Sequence, residues 1–168
     1  MDIQTLSPQH WARLRDVRIA ALQDAPDAFG STLVEAQQKS SADWQAELAS
    51  LKTFVAVADT RDVGMVRGVG AHEDESAGYL ISMWVAPEMR GRLVGDLLIS
   101  AVVDWARASG FKQLLLDVAD TNLAAIKLYK RMGFVPTGVV GSLPPPREHI
   151  KEHQRVLVLN TLSPPEVD

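Results

Sequence analysis

Residues 84–98 read Trp84-Val85-Ala86-Pro87-Glu88-Met89-Arg90-Gly91-Arg92-Leu93-Val94-Gly95-Asp96-Leu97-Leu98, and the periodicity of the chain changes inside them. Upstream, Tyr79 to Val85 is a strand-length run. Downstream, Val94, Leu97, Leu98, Ala101, Val102, Trp105 and Ala106 follow the i, i+3, i+4, i+7 spacing of an amphipathic helix, which Gly110 stops. The turn between them therefore lies at a helix N-terminus, where unpaired N–H groups and the helix dipole favour an anion. Gly91 and Gly95 allow the backbone to close around a ligand, and Arg90 and Arg92 add cationic donors. Taken alone, an ordinary strand-to-helix connection with solvent-facing arginines explains the turn equally well.

On the N-terminal side, Ser7-Pro8 opens a helix over about 8–24 with Trp11, Leu14, Arg18, Ala21 and Leu22 at helical spacing. Asp24 to Gly30 carries turn chemistry, and Ser41 starts a second helical pattern through Trp44, Leu48 and Leu51. Strands are predicted at Phe54–Ala58, Met65–Ala71 and Tyr79–Val85, and their short connections favour an antiparallel meander. After the long helix, Leu114–Val118 is a strand and Thr121 caps a helix that carries Ala125, Leu128 and Met132 inward and ends at Gly133. Phe134-Val135 and Arg155–Leu159 are the last strands, and Gly138–Gln154, rich in Gly and Pro, reads as a long loop.

Composition narrows the chemistry. The 168 residues are 46% hydrophobic, which suits one domain with a substantial core, so 1–168 is predicted to be a single domain. There is no cysteine, which excludes disulfides, thiolate metal sites and cysteine nucleophiles, and no metal site is predicted. The net charge of −4 gives no footprint for nucleic acid, and no apolar run reaches the roughly 20 residues of a membrane span. A cytoplasmic protein is the simple expectation.

The run Val85-x-Pro87-x-x-Arg90-Gly91-x-x-Val94-Gly95-x-x-Leu98 resembles the acyl-CoA pyrophosphate motif of the GNAT superfamily of N-acyltransferases. Arg90 and Gly95 match the first and last positions of its Gln/Arg-x-x-Gly-x-Gly/Ala signature, and Leu93 stands where the middle glycine is expected. A second segment, Asn122-x-x-Ala125-x-x-Leu128-Tyr129-x-x-x-Gly133-Phe134, resembles the family's Asn…Ala…Tyr…Gly-Phe stretch, and the order of elements agrees from roughly Phe54 to Leu159.

The resemblance implies an α+β fold in three α/β/α layers, with a mixed, mostly antiparallel sheet of about six to seven strands. It implies acetyl-CoA as co-substrate, held by Met83, Trp84 and Val85 of the cleft strand, by Arg90, Gly91, Arg92, Leu93, Val94, Gly95 and Asp96 of the turn, and by Asn122, Ala125 and Tyr129. Tyr129 would protonate the departing thiolate, for which a phenol of pKa about 10 is suited. The acceptor would be a small-molecule or peptide amine bordered by Phe29 and Trp84, and the strands after Phe134 would meet a second subunit in a homodimer. Glu35 is the candidate base, with Glu73, Asp74, Glu75, His72 or ordered water left open. A non-catalytic acyl-CoA-binding or regulatory module is the alternative to acetyl transfer.

Overall fold

A computed structural model describes residues 1–160; the rest of the predicted domain, 161–168, lies outside the described residues. Strands β1 (Asp2–Leu6), β2 (Lys52–Ala58), β3 (Arg61–Gly70), β4 (Ala77–Val85), β5 (Gln113–Ala119), β6 (Val135–Ser142) and β7 (Lys151–Val158) form one sheet. The helices are α1 (Trp11–Asp24), α2 (Leu33–Gln38), α3 (Ser41–Ser50), α4 (Val94–Ala108) and α5 (Leu123–Arg131). The sheet order is β1-β2-β3-β4-β5-β7-β6, and of its pairings only β4 with β5 is parallel. The mixed, three-layer α+β architecture is as the sequence predicts.

Neighbouring residues of β3 define the two faces, because successive side chains of a strand point opposite ways. Arg67 reaches Glu47 of α3, whereas a Cβ added at Gly68 would collide with the Trp105 ring of α4. Helices α1 to α3 thus cover one face and α4 the other. The α4 stripe buries Val94, Leu98, Ile99, Val102, Val103 and Ala106, and each of its larger side chains contributes about 1.5–3 kcal/mol by leaving water. Trp44 and Phe134 are among the largest fully buried side chains.

Some local expectations change. Strand β1 and helix α2 were not predicted: the first is five residues of broken alternation, and the second six residues set up by the Thr32–Glu35 capping box. The predicted long loop Gly138–Gln154 is mostly the β6–β7 hairpin, and only 143–150 connect the strands. All eight β6 residues are exposed, so no apolar alternation announces the strand. Asn122, not Thr121, caps α5, its Oδ1 accepting the Ala125 N–H at 3.2 Å. No helix among the described residues is long and apolar enough to cross a membrane.

The Gly68–Trp105 contact gives a direct test of how the two layers pack. Gly68→Ala should lower the unfolding free energy by about 1–3 kcal/mol in urea melts, and Trp105→Ala in the same chain should recover part of that loss as a measurable coupling.

Candidate active site

β4 and β5 pair only from Ala77↔Gln113 to Tyr79↔Leu115. Beyond that point β4 keeps β3 as its neighbour as far as Val85, and β5 keeps β7 as far as Ala119. The two central strands therefore part, and among the described residues the edge of β4 that faces the gap has no strand partner there. A bulge sits at the same place: Ser82 and Met83 together oppose the single residue Val66, and Ser82 takes φ +58. Bulges re-aim strand residues beside functional sites.

A cleft of about 730 Å³ opens at this gap. Its walls include Asp24 to Phe29 after α1, Met83, Trp84 and Val85 of β4, the turn residues Arg90, Gly91 and Leu93, then Val94 to Asp96 of α4, and Asn122, Ala125, Leu128 and Arg131 of or beside α5. Most of the predicted binding residues thus share one cavity. Arg92, Glu35 and Tyr129 are not among its walls.

The turn before α4 uses two left-handed residues, Gly91 at φ +75 and Leu93 at φ +62. Gly91 adopts this conformation freely, whereas a leucine pays about 1–2 kcal/mol for it. Leu93 is the N-cap of α4 and is 65% exposed, so the conformation that a glycine would favour persists without one. Gly95 answers a different need: a Cβ there would lie 2.7 Å from Leu128 Cδ2, so its absence lets α5 lie close against α4. Arg131 completes that junction with two bonds to Asp96, at 3.1 and 2.8 Å.

Asp24, which the sequence presents only as part of a turn, joins the two sides of the cleft. Its Oδ2 accepts both Trp84 Nε1, at 2.9 Å, and Arg90 Nη2, while Arg90 Nε donates to the Val85 carbonyl at 3.1 Å. Burial alone would raise the Asp24 pKa, but the bonds from Trp84 and Arg90 outweigh it and hold the carboxyl below its usual range. Arg147, from the β6–β7 connection, donates to the carbonyls of Pro26 (2.7 Å), Phe29 (3.0 Å) and Gly30 (3.0 Å) and so fixes the wall that follows α1.

The remaining predicted residues lie elsewhere. Tyr129 is 5% exposed and packs edge-on against Phe134 at 5.9 Å between ring centres. Burial pushes its hydroxyl above the ordinary phenol range, so it stays protonated at neutral pH. Glu35 is exposed and its Oε2 accepts the Thr32 N–H at 3.1 Å as part of the α2 cap. Among the described residues, no three His, Asp or Glu side chains cluster as a metal site would require.

Two measurements test this geometry. Leu93→Val should lose about 1–2 kcal/mol in urea unfolding, because a β-branched residue tolerates positive φ poorly, while Leu93→Gly should be no less stable than wild type. For Asp24, a depressed carboxyl stabilises the fold above the unfolded carboxylate range, and that contribution disappears as pH falls through the folded value. The wild-type urea midpoint should therefore drop more than that of Asp24→Asn as pH falls below the unfolded carboxylate value of about 4, with the two curves converging once the folded carboxyl is protonated.

The sequence model of the Acetyltransferase (GNAT) family matches residues 14–134. A streptothricin acetyltransferase from Streptomyces lavendulae is 33% identical over 99 residues, which are 59% of this chain and 52% of that protein. The chain spans about half the length, or less, of the first curated relatives it matches. Among solved structures, a GNAT-family acetyltransferase from Streptococcus pneumoniae superposes with a TM-score of 0.80 at 20% identity, covering 95% of this chain and 99% of that one. A Salmonella typhimurium protein, solved with its cofactor acetyl-CoA, superposes at 0.77 and 18% identity over 100% of this chain and 99% of its own. With seven strands in the order described, central strands that part at a bulge, and a family match over most of its length, the chain belongs to the GNAT acetyltransferase family.

Proposed function

We propose that this protein transfers an acetyl group from acetyl-CoA to a primary amine, with residues 1–168 acting as one acetyltransferase domain. The observation that carries the reading is the meeting, in one cleft, of an open β4 edge and a helix N-terminus. Unpaired N–H groups at the start of α4, with Gly91 and Leu93 turning the backbone around them, suit a pyrophosphate. The free edge of β4 along Met83, Trp84 and Val85 suits an extended amide-bearing arm, which can bond to it as a strand would. Asn122 and Ala125 supply the opposite wall. The Salmonella typhimurium protein solved with its cofactor acetyl-CoA shares this fold.

Acetyl-CoA supplies a thioester carbon for attack by the amine nitrogen, with the thiol of coenzyme A as leaving group. In this reading a β4 N–H near Val85 faces the carbonyl oxygen and stabilises the charge that develops there. Tyr129 gives its proton to the thiolate. Its place on α5, one helical turn beyond the cleft residue Ala125 and on the same side of the helix, supports that role. For the base, solvent is better supported than Glu35, whose carboxylate is engaged by Thr32 and lies off the cleft. Phe29 and Trp84 border the space for the acceptor.

A non-catalytic acyl-CoA-binding role draws on one observation, that Tyr129 is not on the cleft wall. Calorimetry with acetyl-CoA and thiol release with an amine panel separate the two readings. Micromolar binding with thiol release is expected, and Tyr129→Phe should retain binding while turnover falls about 10²-fold. Binding without release would favour the second reading, wild-type turnover in Tyr129→Phe would remove the acid, and no binding at millimolar acetyl-CoA would sink both.

A further inference from the structure

On the α1–α3 face of the sheet, directly behind the cleft, the protein buries more positive charge than it pairs. Arg67 of β3 is 6% exposed. Its Nε and Nη2 donate to Ser82 Oγ at 2.9 and 2.7 Å, and its Nη1 to Glu47 Oε2 at 2.9 Å. Arg18 of α1 is 4% exposed, and its buried Nη1 has no hydrogen-bond partner among the described residues. Lys39 also turns its ammonium to Glu47 and lies 4.9 Å above the Trp44 ring, whose own buried Nε1 likewise has no partner among the described residues. Two cations thus share the Glu47 carboxylate, while Arg18, close enough to feel the charges of both Arg67 and Glu47, bonds to neither.

Burial and the neighbouring Arg67 lower the Arg18 pKa to about 10, with Glu47 opposing, so the group remains charged at neutral pH. A buried guanidinium held only against a ring face leaves its N–H donors unmet, and a fold with no use for it would be more stable with an apolar side chain in its place.

The position of the cluster indicates what would use it. The Arg18 guanidinium lies 4.5 Å from the centre of the Phe29 ring, and Phe29 lines the cleft. Ser82, which holds Arg67, is the bulge residue next to Met83, another cleft wall. The anion-binding turn at the start of α4 belongs to the opposite face. A molecule approaching from the α1–α3 face would bring its amine to the gap between β4 and β5 and any anionic group toward Arg18.

We propose that Arg18, supported by Arg67, is the carboxylate subsite of the acceptor, with Phe29 as the ring that moves aside to admit it, and that the acceptor is an α-amino acid or a close derivative. The planar guanidinium offers the paired donors that a carboxylate accepts side by side. The inference rests on the reading that the cleft takes an amine acceptor.

The test is calorimetry on the full chain, with and without coenzyme A, using a panel of L-amino acids and the amines left by removing their carboxylates. At least one amino acid should bind tenfold or more tightly than its amine. Arg18→Met should abolish that preference while melting at or above the wild-type temperature, whereas a purely structural arginine would show a lower melting temperature and an unchanged preference. If Arg18→Met does not fold, Arg18→Lys keeps the charge without the fork and should cut the preference severalfold. No preference in the wild type, or a preference that survives in the folded variant, overturns the proposal. Arg18-dependent binding of amino acids without thiol release from acetyl-CoA would instead sink acetyl transfer and leave the subsite standing.

Discussion

Parallel neighbours in a sheet cannot be joined by a tight turn, because the chain must travel back along the full length of the first strand before the second can begin. In this protein that geometry falls on β4 and β5, the two central strands, and α4 is the return path. The helix must then start where β4 ends, and β4 ends where its pairing with β5 has already stopped. A helix N-terminus and an open strand edge are thereby brought to one place by connectivity alone. The bulge at Ser82, the left-handed turn at Gly91 and Leu93, and the missing side chain at Gly95 adjust that junction.

How legible this was follows from the range of each interaction. Helix α4, the turn before it and the β4 run are local patterns, and the structure places these elements where the periodicity predicts, but the buried stripe of α4 takes in Ile99 and Val103 and leaves the predicted Leu97 exposed. Leu93 breaks the family's glycine pattern, yet its backbone holds the left-handed conformation, a fact that no residue type announces. Strand β6 was legible only at its start, Val135, because it is exposed throughout and carries the Gly and Pro of a loop. Asp24 was hidden because its partners, Trp84 and Arg90, are 60 and 66 residues away. Arg18 left a faint signal, since a cation inside the apolar spacing of α1 falls on the face that the helix buries.

The cleft is electrostatically divided by the same sheet. On the α4 side, Arg90 and Arg131 lie partly in solvent, each already engaged by a carboxylate, Asp24 and Asp96. On the α1–α3 side the cations are deep and undercompensated. A ligand that presents anionic groups at both ends and a reactive centre between them would match this distribution. Asp24 spans the two regions, since it ends α1 and holds a side chain from each of β4 and the turn before α4.

Arg147 grips the segment after α1 through three carbonyl oxygens and no side-chain hydrogen bond of that segment. Main-chain acceptors are common to every residue type, so these three bonds do not depend on what residues 26–30 carry, and the longer, exposed contact to the Asp27 carboxylate at 3.8 Å adds little. That part of the wall can exchange its side chains through evolution while its path stays fixed. Descendants of this scaffold could in this way change the molecules they select without first having to rebuild the cleft that receives them.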